Sequence, residues 1–296
     1  PLALFRIATA LVLSIDLLDI WMTNSHQMIW FPMSSGGMQP PDSNWLFHFL
    51  GGPSSANIEF VLWGTLLCCL ALLIGIGSRV AALIAIQGCL ALFALHPGSG
   101  GGHDRLITNA LWLLVLAPSD SSISLWSKLR TGQWFSSTFV SAWPRYLVIY
   151  QLILMYSCTG IQKLGAEWWP MGDFLAIYYA ILIPYWARAD WSWIAQNLTL
   201  PTQIGTFLTW LWESTWWVVL LCFYYRKTSN KEGRIRHLFL KWDIRLVYIT
   251  VGVFVHTGIA LLMNLGPFSG ITMSYYLCFF HHDEYAKVWV KLKSRF

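Results

Sequence analysis

Long apolar runs, separated by short polar or glycine-rich segments, dominate the chain. Runs of this kind predict membrane-spanning helices, which need about 20 apolar residues to cross a bilayer upright. Several runs are shorter than this length. The seventh run in chain order has a histidine near its centre. The pattern predicts eight spans, near residues 2–22, 56–77, 79–96, 105–118, 145–163, 204–225, 244–264 and 267–281. The expected fold is an all-α polytopic bundle over 2–281, followed by a basic cytoplasmic tail, 282–296.

A further apolar piece, 170–186, contains Pro170, Gly172 and Pro184. These residues interrupt a helix, so the pattern favours a re-entrant or interfacial helix over another span. The surrounding segment, 164–203, carries five tryptophans, which are typical of a chain lying at the membrane interface. We find no stretch polar and long enough to form a separate soluble domain.

Composition supports the membrane class. Of 296 residues, 56% are hydrophobic and only 11% are charged, whereas soluble domains carry about 25% charge. Nineteen tryptophans suit interfacial aromatic belts. The six cysteines lie inside apolar runs and form no CxxC pair, so they predict packing residues and no metal site. No basic polar run indicates nucleic-acid binding, and no phosphate-loop or dinucleotide motif is present.

Lysines and arginines are distributed unevenly between the connecting loops. The loop 23–55 has none, whereas the loop 226–245 and the tail are rich in both. With both termini in the cytoplasm, the external or intramembrane cations are only Arg6, Arg105, Lys163 and Arg188. This is the positive-inside pattern, so we expect a bacterial cytoplasmic membrane protein with both termini cytoplasmic.

Ionisable residues within apolar runs are costly and usually face a protein interior or a wet cavity. In the first run, Asp16 and Asp19 are expected to pair with Arg6 or with a neighbouring helix. For Glu59 and Glu213, a structural hydrogen bond and a chemical role remain equally open.

Two histidines are candidates for chemistry. His103 follows GSGGG, and it could cap the next helix or titrate at the outer mouth of a cavity. His256 lies mid-span, with Asn264 eight residues later and therefore predicted on the same helical face. His256, Asn264 and Glu213 are candidates to line a ligand pocket, although a core histidine is the simpler interpretation of His256.

Lys163 ends the fifth apolar run, just before GAEWWPMG. It could be an anchor whose ammonium reaches the headgroups while its stem lies on apolar surface. It could instead be a base, because an apolar environment favours the neutral amine. Trp168, five residues later, is a candidate to line the same pocket.

Four stretches carry a family resemblance: LALFRIATALVLSIDLLDI, HDRLITNALWLLVLAPSDSSISL, YQLILMYSCTGIQKLGAEWWPMG and HTGIALLMNLGPFSGI. In that order they resemble the horizontally transferred transmembrane (HTTM) domain, the membrane core of vitamin K-dependent γ-carboxylases. The resemblance extends over about residues 2–280.

The resemblance implies a quinone or hydroquinone ligand. It places Lys163 at the lysine that deprotonates vitamin K hydroquinone, and His103 at a histidine that assists it. His256, Asn264 and Phe268 match a later stretch of the family. The second lysine of the carboxylase motif is replaced by Gln162.

Three functions remain open at this point. The first is an intramembrane quinone-binding enzyme, with Lys163 as base and the tryptophan-rich segment 164–193 as a lid. The second is a non-catalytic accessory subunit of a larger photosynthetic or respiratory membrane complex, holding lipid or pigment. The third is a peptide maturation or export factor. The bilayer is the expected partner in each case, with other membrane subunits in the second.

Overall fold

The computed structural model of this chain describes residues 1–136 and 139–293, and within them the protein is all-helical. Helices and 3₁₀ turns are joined by irregular segments, and no β-strand occurs in these two ranges. The all-α prediction is therefore confirmed. The predicted tail, 282–296, is helical up to Lys293. Its last three residues, 294–296, lie outside the described ranges.

The first eight α-helices, in chain order, are α1 (Leu2–Met22), α2 (Ser25–Trp30), α3 (Trp45–Phe49), α4 (Ser55–Ile74), α5 (Ser78–Ala94), α6 (Gly102–Leu116), α7 (Leu125–Thr131) and α8 (Trp143–Ile161). They are followed by α9 (Ala176–Leu182), α10 (Ser192–Asn197), α11 (Thr199–Ser214), α12 (Val218–Lys227), α13 (Arg234–Trp242), α14 (Ile244–Leu262), α15 (Phe268–Tyr276) and α16 (His282–Lys293).

Among the described residues, α4 and α14 are long and apolar enough to cross a membrane. A third candidate is the pair α11 and α12, which meet at a 46° bend. Two or three such helices are compatible with insertion in a membrane and with contact to lipid. The prediction of eight spans is not supported by this structure.

The helices at the other predicted spans are either too polar or too short to qualify as membrane spans. Helix α1 has the predicted extent but carries three ionisable side chains, and polar residues such as Arg145 and Gln151 lower the hydropathy of α8. Helices α5, α6 and α15 contain 17, 15 and 9 residues. Each is shorter than the ~20 residues that a bilayer requires.

The piece 170–186 is not one continuous helix. A 3₁₀ turn over Pro170–Gly172 precedes α9, and Asp173 and Phe174 between them have φ of 55°. Non-glycine residues rarely adopt this left-handed conformation, so the chain makes a sharp turn there. The predicted interruption is present, while its position in a membrane remains a prediction.

The chain divides into two compact units. The first comprises Pro1–Val148 and the segment from Gly266 onward, and the second comprises Ile149–Leu265. In the first unit, α1, α4, α5, α6 and α15 pack side by side. Phe5 meets Tyr275 edge to face at 5.1 Å, and the Tyr275 hydroxyl donates to the Leu106 carbonyl at 3.0 Å.

Arg6 is fully buried in the first unit, near the start of α1. Its guanidinium donates to the Ser119 and Ile123 carbonyl oxygens, each at 2.6 Å. Short hydrogen bonds of this kind offset part of the cost of burying a cation. Of the two expected alternatives, the pairing of Asp16 and Asp19 with Arg6 is therefore wrong, because the arginine instead fixes the turn that follows α6.

The core of the second unit is aromatic. Tyr156 on α8 stacks on the fully buried Trp216 at 4.7 Å and also contacts Trp212 at 4.7 Å. The Trp212 indole donates to the Tyr248 carbonyl at 3.0 Å, so its buried N–H is satisfied. These contacts join α8, α11 and α14 around the break between α11 and α12.

Candidate functional site

Within the second unit, the end of α8 lies directly against the end of α11 at Gly160. A Cβ built on Gly160 would overlap the backbone of α11, at 2.7 Å from both the Glu213 carbonyl carbon and the Ser214 Cα. Only glycine permits backbones to approach this closely. The approach brings Glu213 beside the residues that follow α8.

The Lys163 ammonium forms an ion pair with the Glu213 carboxylate. The two side chains are only 19% and 13% exposed. The same ammonium lies over the ring of Trp168, 4.6 Å from its centroid, within the range of a cation–π interaction. The structure therefore brings together three residues that were predicted separately as site candidates: Lys163, Glu213 and Trp168.

The backbone around the lysine is also held in place. The Trp169 indole donates to the Lys163 carbonyl at 2.8 Å, and the Trp169 ring packs against Trp210 at 4.9 Å. The Lys163 amide donates to the Gly160 carbonyl at 3.4 Å. The position of the ammonium is thus set from both the backbone and the side chain.

This geometry changes the choice between anchor and base. A side chain that pairs with a mostly buried carboxylate is not extended toward lipid headgroups, so the simple anchor does not describe Lys163. In the charged pair, the carboxylate is the group able to accept a proton. The ammonium is able to stabilise a negative charge that develops nearby.

His103 lies in the first unit, in the first turn of α6. Its Nε2 is 3.3 Å from Asp104 Oδ1, while Asp104 Oδ2 accepts from the Gly101 amide at 2.8 Å. Burial lowers the pKa of His103, and the Asp104 carboxylate opposes that shift only in part. His103 and Lys163 belong to different units, so their predicted cooperation remains a prediction.

His256 is buried in the second unit and is hydrogen-bonded to Tyr156, with 2.6 Å between Nε2 and the phenolic oxygen. Its expected partner on the same helical face, Asn264, is not there. Helix α14 ends at Leu262, and the Asn264 amide donates to the Trp186 carbonyl at 2.7 Å. The prediction that His256 and Asn264 share a helical face was wrong, because α14 stops two residues before Asn264.

Two residues important to this site were not predicted from the sequence. Gly160 had no local signal, because its role depends on contact with Glu213 and Ser214 of another helix. Tyr156 lies in an apolar run in which aromatic residues are common, so nothing marked it as the partner of His256. No group of three metal-ligating side chains lies together in the described parts of the chain.

The aromatic and charged geometry described above cannot be compared residue by residue with a relative. The chain matches no protein-family model, no curated protein and no solved structure. The resemblance to the HTTM domain therefore remains a prediction based on the four quoted stretches.

Proposed function

We propose that this chain is an integral membrane protein that binds hydroquinone-like phenols and withdraws a proton from them at the Lys163–Glu213 pair. The observation that carries the proposal is the largely buried ion pair with the Trp168 ring against its cation. An aromatic wall and an adjacent acid–base pair are the groups that recognition of a phenol requires.

The chemistry follows from the charges of the pair. Glu213 accepts the proton from a phenolic hydroxyl, and the Lys163 ammonium neutralises the charge left on that oxygen. A shielded ammonium stabilises such a charge more than it would in bulk water. This assigns to the pair the step that the family resemblance gives to the lysine, assisted by a histidine at position 103. A bound hydroquinone would supply the oxygen-dependent chemistry that follows this removal of a proton.

The test uses 2-naphthol, a phenol whose ionised form absorbs at longer wavelength than its neutral form. Purified protein in nanodiscs is titrated with the probe at several pH values. We expect bound probe to ionise about one pH unit below free probe, equivalent to about 1.4 kcal/mol of stabilisation. Lys163→Met should abolish this shift in the pH at which bound probe ionises. Glu213→Gln should weaken transfer of the phenolic proton to residue 213.

The matched control is Asp190→Asn, which removes a fully exposed carboxylate from the same unit. It should behave as the parent. If Lys163→Met ionises the bound probe as the parent does, the proposal is wrong. The accessory-subunit alternative is tested in the same gentle preparation, because it requires other membrane proteins to co-purify in fixed proportion.

A further inference from the structure

A separate cavity of about 230 Å³ lies in the first unit, between the start of α5, the turn after α6, and α7. Among the residues that line it are two cations, an indole and three small or acidic polar groups: Arg79, Arg130, Trp126, Ser121, Ser127 and Asp120. A water molecule in the liquid occupies about 30 Å³, so a tetrahedral oxyanion fits here with room for bridging waters.

The two arginines have no protein partner in the part of the chain that the structure describes. Both are exposed, and neither guanidinium takes part in a hydrogen bond or ion pair there. Two arginines and a single carboxylate line this cavity, so a bound anion would offset the repulsion between the two cations. The guanidinium is also the side chain best suited to bidentate binding of phosphate.

One carboxylate also lines the cavity, and it is already engaged. Asp120 Oδ2 accepts from the Ser78 amide at 3.3 Å, and its charge also acts on Arg6. The cavity therefore keeps a net positive charge. Its Arg79 side lies in the first turn of the 17-residue helix α5, whose dipole adds further positive potential.

Helix α7 gives the cavity an apolar rim. Trp126 and Leu129 on this helix are 47% and 71% exposed, next to Lys128 and Arg130. An exposed tryptophan and leucine beside basic residues are typical of a short helix lying on a bilayer surface. Basic residues such as Lys128 and Arg130 are typical of the cytoplasmic side of a membrane, where the lipid surface is negative.

We propose that this cavity binds a phosphate group, supplied by the headgroup of an anionic phospholipid, with Arg79 and Arg130 as its ligands. Trp126 and Leu129 then contact the lipid beside the phosphate. This site is independent of the Lys163–Glu213 pair and belongs to the other unit of the chain.

The experiment measures lipid retention by native mass spectrometry, after release of the protein from nanodiscs of phosphatidylcholine and phosphatidylglycerol. The parent should retain one phosphatidylglycerol molecule preferentially. The double variant Arg79→Gln/Arg130→Gln should lower that retention at least about tenfold. Arg79→Lys/Arg130→Lys keeps the charge and should recover only part of it, because lysine lacks the bidentate fork.

Lys227→Gln is the matched control, since it removes an exposed cation that does not line the cavity. It should retain lipid as the parent does. A second arm adds inorganic phosphate to protein in phosphatidylcholine nanodiscs at constant ionic strength and follows the unfolding temperature. Stabilisation by phosphate in the parent alone, without retained phosphatidylglycerol, would support the phosphate site and overturn its lipid source. If the double variant matches Lys227→Gln in both arms, the site does not exist.

Discussion

Replacement of Gly160 by alanine tests whether close approach of two helices builds the candidate site. Two effects oppose each other. Alanine favours a helix over glycine by up to about 1 kcal/mol. The added Cβ, however, would lie 2.7 Å from backbone carbon atoms of Glu213 and Ser214, and a backbone cannot rotate away as a flexible side chain can.

Overpacking of this kind typically costs about 1–3 kcal/mol. The contact at Gly160 involves several backbone atoms, so we expect the upper part of that range. After the helix-propensity gain is subtracted, Gly160→Ala should lower the free energy of unfolding by about 1–2 kcal/mol. Separation of α8 from α11 should also weaken the Lys163–Glu213 pair and reduce ionisation of bound 2-naphthol.

The control is Gly258→Ala, in the middle of α14 of the same unit, where a new Cβ would meet nothing within 4 Å. It should raise the free energy of unfolding by up to about 1 kcal/mol. Both variants are compared by chemical unfolding in the same detergent, followed by tryptophan fluorescence. Equal stabilisation of the protein by the two substitutions would refute the close-approach argument.

Three further predictions concern the charged and hydrogen-bonded groups. Glu213→Gln should destabilise the second unit by about 2–3 kcal/mol, below the 3–5 kcal/mol of a fully buried broken pair because some exposure remains. Adding Lys163→Met should recover part of that loss; a double variant no more stable than Glu213→Gln alone would contradict this. Tyr156→Phe should cost about 1–3 kcal/mol, because it removes the 2.6 Å partner of the buried His256, and unfolding curves would detect it. For His103, the lowered pKa means that the unfolded chain binds more protons, so stability should fall as pH decreases below about 6.5. His103→Gln should reduce that pH dependence, and an unchanged stability profile would show that the histidine does not contribute.

The sequence predicted helix positions well where apolar runs are uninterrupted. The helices α1, α4, α5 and α14 begin and end within a few residues of the predicted runs. Hydrophobicity alone, however, does not distinguish a membrane span from a shorter helix that packs against other helices. The runs 79–96 and 267–281 show this, because the helices α5 and α15 that form there contain only 17 and 9 residues.

The charged residues of the candidate site were predictable one by one, but their arrangement was not. Lys163 and Glu213 were each notable as ionisable groups in apolar surroundings. Their pairing depends on the packing of α8 against α11, which no local pattern describes. Asn264 illustrates the opposite error, because helical spacing was extended past Leu262, where α14 ends. The backbone amide of Asn264 instead donates to the Trp186 carbonyl.

The buried Arg6 has a consequence for the biogenesis of the protein. Its two acceptors lie 113 and 117 residues later in the chain. At a synthesis rate of about 5–20 residues per second, they emerge from the ribosome about 6–23 s after the arginine. Throughout that interval α1 carries a cation without its final partners. Stable packing of the first helix must therefore wait until the turn after α6 has been made, and truncation before that turn should leave α1 poorly packed.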